Sequence, residues 1–248
     1  MPVKSHYSSY VSDEAFIAKY SQYQAKYTHD PRESDKLSMQ ILKGLLGDGD
    51  GCRILDVACS TGNFVRHLRR AIPAARLVGS DLSVDFVDRC RADESLRDIE
   101  FRVLDCLSIG GQGQFDAITA NAVTFLFNWA DYRKALSSIS DSLKVGGYYV
   151  GFEWISPFAV QELTIVETNE WNPDGLTIYL RPMVKVESAL RAAGFSSVEF
   201  RPFVLPIDLP FPGYDEDVVT YTRKDEHGER MAFRGVLFQP WCHLIARK

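Results

Sequence analysis

Four short stretches of the chain put carboxylates and small residues where an open α/β sheet meets its ligand. Asp56-Val57-Ala58-Cys59-Ser60-Thr61-Gly62-Asn63 closes the first apolar run. Small residues at 58, 60 and 62 let a ligand approach the backbone, and the helix that follows offers free N–H groups. Asp81 ends the second run, 19 residues beyond Gly62, where an acidic side chain accepts both hydroxyls of a ribose. Asp105-Cys106 ends the third, and a carboxylate there can accept from an exocyclic adenine amine. Asn121-Ala122 ends the fourth, at the switch point where such sheets bind ligands.

The sign of the charge matters. A dinucleotide fingerprint, G-x-G-x-x-G, sets a pyrophosphate on the helix N-terminus. Here Ala58 and Ser60 stand at the first glycine positions, and Asp56 would repel a pyrophosphate. A carboxylate there suits a cationic adenosine without phosphates, which describes S-adenosylmethionine. An NAD-dependent oxidoreductase and a non-catalytic adenosine-cofactor-binding module remain the alternatives.

The elements that must hold these residues follow from periodicity. Arg53–Val57, Arg76–Ser80, Glu100–Leu104, Phe115–Ala120 and Tyr148–Trp154 read as strands. Between them, Asn63–Ile72, Val84–Arg91 and Tyr132–Leu143 carry apolar residues at helical spacing, the last stopped by Lys144-Val145-Gly146-Gly147. Alternating strands and helices imply right-handed βαβ units around a parallel sheet. Ahead of them, Phe16, Tyr20, Tyr23 and Tyr27 share one face of a helix. A second helix is expected to start at Asp30-Pro31-Arg32-Glu33, with Asp30 as cap and Pro31 at the first turn. Gly47–Gly51 separates this N-terminal part, residues 1–50, from a core of residues 51–248. Ser156–Arg181 reads as an aromatic-rich insertion of weak periodicity, placed at about 155–181. A helix at Val184–Ala193, a strand at Ser197–Val204 and an extended run inside Phe233–Arg247 follow, and the two late strands suggest an antiparallel hairpin at the sheet edge.

On these residues, Ile54 to about Gly151 resembles the class I S-adenosylmethionine-dependent methyltransferases of small-molecule type. ILDVACSTGNF is similar to the first family motif, usually D-x-G-x-G-x-G; LVGSDLS resembles the second, FRVLDC the third and FDAITANAVTF the fourth. The resemblance implies a Rossmann-like, doubly wound, mostly parallel seven-stranded sheet with an antiparallel C-terminal hairpin and an N-terminal helical lid. It also implies S-adenosylmethionine as cofactor. Asp56, Ala58, Cys59, Ser60 and Gly62 would line its methionine portion, Asp81 its ribose, and Leu82, Asp105 and Cys106 its adenine. Asn121 and Ala122 would lie near the sulfonium, with Tyr27 in the lid above. Ala58 and Ser60 depart from the family's glycines.

Methyl transfer needs an electron-rich atom about 3 Å from the methyl and often a base. Glu153, at the end of the fifth strand, is the first candidate and His243 the second, the latter weighed against a purely packing role. His29 and His67 are expected at the surface. Trp154, Phe158, Trp171 and Tyr179 are candidates for an apolar cap over the acceptor.

Composition narrows the acceptor. The 248 residues carry a formal charge of −5, with 46% apolar and 25% charged residues. These proportions exclude general disorder, and there is no basic excess to track phosphates. The fourth strand is followed by N-A-V-T rather than the N/D-P-P-Y/F of amino-group nucleic-acid enzymes. No apolar run reaches the ~18 residues of a membrane span, and the five scattered cysteines form no CxxC pair, so neither a metal site nor a disulfide framework is expected. The expectation is a cytoplasmic enzyme, monomer or homodimer, acting on a small-molecule acceptor and not on nucleic acid or membranes.

Overall fold

The computed structural model describes residues 14–169, 172–214 and 219–248. Its centre is a sheet built from β1 (Arg53–Val57), β2 (Arg76–Asp81), β3 (Glu100–Val103), β4 (Phe115–Asn121) and β5 (Leu143–Ser156), ordered β3-β2-β1-β4-β5 and parallel throughout. Two late strands extend it: β8 (Ser197–Pro202) at the edge and β12 (Trp241–Arg247) between β5 and β8, antiparallel to both. These seven strands are the expected sheet with its antiparallel hairpin.

Two differences come from the connections. The insertion is an ordered ribbon, β6 (Leu163–Asn169) antiparallel to β7 (Asn172–Pro182), joined to the end of β5 through Ile155 and Arg181. Pairs such as Ile165 with Ile178 and Val166 with Thr177 supply the β-branched residues that a ribbon favours. The link between β8 and β12 is long, residues 203–240. It folds into a second, three-stranded antiparallel sheet of β9 (Thr220–Lys224), β10 (Arg230–Arg234) and β11 (Leu237–Phe238).

Helices cover both faces of the main sheet. On one side lie α2 (Glu33–Leu46), α3 (Asn63–Ala71) and α4 (Val84–Ala92), with Leu42, Val65, Leu68, Ile72 and Val87 closing the core. On the other lie α5 (Trp129–Ser142) and α6 (Met183–Ala192), through Tyr132, Leu136, Ile139, Val186 and Leu190. Continuous apolar strands fit a sheet buried on both faces. α1 (Glu14–Ala25) precedes them. α2 starts at Glu33 with Arg32 as N-cap, later than the Asp30 cap expected from sequence. Its first helical bond runs from Lys36 N to Arg32 O, while Asp30 instead pairs with Lys36 at 3.3 Å. No helix among the described residues is long and apolar enough to cross a membrane.

Candidate functional site

The turn from β1 into α3 is the base of the site. Asp56 lies opposite Gly79 of β2 and Thr119 of β4, and is only 2% exposed. Its Oδ1 accepts from the Thr119 hydroxyl at 2.6 Å. Beyond it the chain turns back sharply: Ala58, Ser60 and Gly62 have φ of 56°, 52° and 73°. All three therefore sit in the left-handed region that glycine adopts freely and alanine or serine only at a cost of about 1 kcal/mol. Alanine and serine at 58 and 60 thus take a backbone conformation that glycine adopts more freely. Gly62 cannot be varied in the same way. A Cβ there would stand 2.9 Å from Leu96 Cδ1 and 3.1 Å from Cys90 Sγ.

Asp81 locks this turn from β2. Its Oδ2 accepts from Ser60 N and its Oδ1 from Ser83 N, each at 2.9 Å. Cys59 N donates to Ser80 O at 2.8 Å. Burial drives the Asp56 carboxyl up to about 8, opposed by the Thr119 hydroxyl and reinforced by Asp35 and Asp81. Burial raises Asp81 as well, against the backbone N–H groups that favour its charge. Two adjoining buried carboxyls are thus held at a strand-end rim, both raised toward the protonated form.

Asp105 and Leu82 stand at the same rim, both half-buried. Asp105 Oδ1 accepts from Leu107 N at 2.8 Å and caps a short turn. The Cys106 thiol is pushed up to about 12 by burial, then by Asp105, with Asp81 adding. Asn121 ends β4 with its Nδ2 buried and without a hydrogen-bond partner among the described residues. Ala122 follows at φ 54°, its N bonded to Phe152 O at 2.7 Å. The expected cofactor residues therefore converge.

The N-terminal helices reach the same place. Tyr20 packs edge-on against Phe86 of α4, ring centroids 6.1 Å apart, and its hydroxyl faces Ser60. Asn63 Nδ2 donates to Gln24 O at 2.8 Å, and His67 Nε2 lies 2.7 Å from Tyr27 O. His67 is 4% exposed, a correction to its expected surface position: the Tyr27 carbonyl in the turn after α1 needs a buried partner. His29 is exposed as expected. Burial and the neighbouring Tyr23 push the Tyr27 phenol up to about 12. Arg32, which sequence reasoning missed, donates to Gln24 Oε1 at 2.8 Å and lies 4.4 Å over the Tyr27 ring. Asp35, also missed, is buried beside Arg32, His67 and Asp56.

Glu153 is fully enclosed on the α5 side of β5, one residue beyond the Asn121–Phe152 pair. Tyr132 OH donates to its Oε1 at 3.0 Å. Burial raises the carboxyl to about 7, with Arg181, Tyr132 and Thr124 pulling it back. His243 points to the opposite face. It is completely buried, its Nε2 3.0 Å from Ser38 Oγ and its ring 4.6 Å from Phe152, and burial lowers it to about 4. A neutral imidazole tying β12 to α2 is the packing role weighed above.

The aromatic cap divides. Trp154 stacks on Phe125 with centroids 5.7 Å apart, and Tyr179 lies 5.3 Å from the Arg181 guanidinium. Phe158 is 64% exposed and stays outside the cluster, since the turn after β5 carries it into solvent; Trp171 lies outside the described residues. Trp241, unforeseen, adds a ring stacked on Phe152 at 4.5 Å.

With that geometry in place, comparisons with known proteins align with it. Residues 54–147 match the family model described as a methyltransferase domain. A demethylmenaquinone methyltransferase of Thermus thermophilus is 35% identical over 109 residues, 42% of this chain and 48% of that protein. A fatty-acid O-methyltransferase of Mycolicibacterium smegmatis is 28% identical over 136 residues, 50% of this chain and 49% of that one. The chain spans about half the length of the first curated relatives it matches. Among solved structures, a Burkholderia thailandensis 1,6-didemethyltoxoflavin N1-methyltransferase holding S-adenosylhomocysteine superposes with a TM-score of 0.64 at 15% identity, covering 100% of this chain and 92% of that one.

Proposed function

Since residues 54–147 form a methyltransferase domain of the class I, S-adenosylmethionine-dependent type, we propose that the protein methylates a small, largely apolar acceptor. One observation carries this reading most. Asp56 and Asp81, buried together under a loop with left-handed backbone at 58, 60 and 62, form a carboxyl floor whose ionisation a cationic adenosine favours and a pyrophosphate opposes. The residues fit the cofactor. Asp81 would hold the ribose hydroxyls, Leu82 the adenine face, and Asp105 with the Cys106 backbone the adenine edge. Asp56, Ala58, Cys59, Ser60 and Gly62 would line the methionine end, with Arg32 placed for its carboxylate. Asn121 and Ala122 would flank the sulfonium, and Tyr20 of α1 and Tyr27 of the turn after it would close over it as a lid. Bound there, S-adenosylmethionine supplies an electrophilic methyl group.

The chain's own chemistry is then to orient the acceptor, exclude water and accept a proton. Phe125, Phe152, Trp154 and Trp241 form an aromatic wall beside the ends of β4 and β5. Glu153, hydrogen-bonded by Tyr132, serves as base. The names of the relatives, acting on demethylmenaquinone or fatty acids, agree with an apolar acceptor.

Calorimetry with S-adenosylmethionine, S-adenosylhomocysteine and NAD tests the reading. The sulfonium and its demethylated product should bind and NAD should not; NAD binding alone would overturn it. Asp81→Ala removes the acceptor of two charge-assisted hydrogen bonds, each worth about 1.5–3 kcal/mol, so affinity should fall by at least about a hundredfold. An unchanged affinity would refute the ribose assignment.

A further inference from the structure

Arg181 is the bulkiest fully buried side chain among the described residues, 1% exposed, yet nothing above requires a cation there. It sits where β7 runs beside the end of β5, at the level of Ile155 and two residues past Glu153. Its Nη2 donates to the Phe127 carbonyl in the turn after β4. The guanidinium lies 4.3 Å over the Tyr132 ring, 4.8 Å over Trp129 and 5.3 Å over Tyr179. Its Nε and Nη1 have no hydrogen-bond partner among the described residues. A buried guanidinium with one hydrogen bond is costly unless an anion compensates it. The charge that acts on it most strongly is Glu153, whose Oε1 takes its hydrogen bond from the same Tyr132 that the guanidinium covers.

The groups facing Glu153 come from every element around it. They are Tyr132 of α5, Thr124 of the turn after β4, Tyr149 of β5, Cys242 of β12 and Arg181 of β7. Four are neutral hydroxyls or a thiol, so Arg181 is the one positive charge in that set. It arrives on the β6–β7 ribbon, which is fastened separately: Glu162 accepts from Trp129 Nε1 and pairs with Lys185, and Glu167 pairs with Arg234 of β10 at 2.9 Å.

We propose that Arg181 is the positioning residue of the acceptor site: clamped over Tyr132, it holds Glu153 as a carboxylate at the strand ends while the β6–β7 ribbon is docked. This rests on the methyl-transfer reading of the site. It narrows the substrate to an acceptor that gives up a proton when methylated. The acceptor's proton passes to the Glu153 carboxylate as the methyl takes its place, and Glu153 later returns it to water.

Glu153 can be titrated without knowing the acceptor. Protein labelled with 13C at the glutamate carboxyl carbons, with the Glu153 signal assigned by its loss in Glu153→Gln, gives the protonation midpoint by NMR. Loss of the facing cation in Arg181→Gln should raise that midpoint by at least one pH unit, a tenfold gain in proton affinity. Arg181→Lys keeps a charge but not the planar fork, and should fall between the two. If Arg181→Gln does not fold, Arg181→Lys carries the test alone. A midpoint equal to wild type in a folded variant overturns the proposal. Folding is checked by circular dichroism and by calorimetry with S-adenosylhomocysteine, whose proposed binding residues do not include Arg181. Failure of the wild type to bind it would sink the methyl-transfer reading instead, leaving the titration to judge Arg181.

Discussion

Cofactor affinity should rise with pH because Asp56 must lose a proton to receive a cation. With its carboxyl near 8, about one molecule in ten carries the charged form at pH 7. The affinity a charged Asp56 would give is then reduced about elevenfold at pH 7 but hardly at all at pH 9. That is close to a tenfold span, or about 1.4 kcal/mol. The ligand's own α-amino group titrates in the same range, so wild type must be compared with Asp56→Asn. The ratio of their affinities should grow about tenfold from pH 7 to pH 9. At pH 7 the wild type should also release nearly one more proton than the variant on binding. Calorimetry in buffers of different ionisation enthalpy measures both quantities. Parallel affinity profiles with equal proton release would refute the electrostatic account of this floor. The same group has a converse effect on the unliganded fold. Because its folded pKa lies above the unfolded value near 3.8, its contribution to stability is present below that value and is lost as pH rises through about 8.

Two further outcomes concern stability. Gly62→Ala forces a side chain to φ 73° and onto Leu96 and Cys90, and should cost about 2–4 kcal/mol, whereas Ala58→Gly relieves a left-handed alanine and should gain up to about 1 kcal/mol. Thermal unfolding showing Ala58→Gly as the more damaging change would refute the strain argument. His243 is held neutral to about 4, so acid destabilises the fold from its unfolded value near 6.5 down to that point. Replacing it by Gln should flatten this limb of the stability–pH curve, removing up to about 3 kcal/mol of acid sensitivity; denaturant titrations at pH 4, 5, 6 and 7 that stay parallel to wild type would speak against it.

What the sequence made legible was whatever rests on local order. Strand, turn and helix recur from Arg53 to Gly151, so Asp56, Asp81, Asp105 and Asn121 could each be assigned to a strand end, and the structure assembles them there. Positions fixed by distant partners were not legible. His67 is buried because Tyr27, far away in sequence, turns a carbonyl toward it. Arg181 looks like an ordinary charge at the end of LTIYLR until rings from Trp129 and Tyr132 close around it. The proline-rich stretch before β9 likewise gave no sign that a second sheet would follow.

The placement of β12 has a consequence for how the chain is made. β5 completes its outer edge only with residues 241–247, after the ribbon, α6, β8 and the small sheet have all been synthesised. At about 5–20 residues per second, translation leaves that edge unpaired for roughly 5–20 s, with Phe152 and Trp154 bare on it. An open strand flanked by aromatic rings is a site for mispairing with neighbouring nascent chains. Expression at lower temperature or with a holdase chaperone should therefore raise the soluble yield by acting on this interval, and leave the stability of the finished protein unchanged.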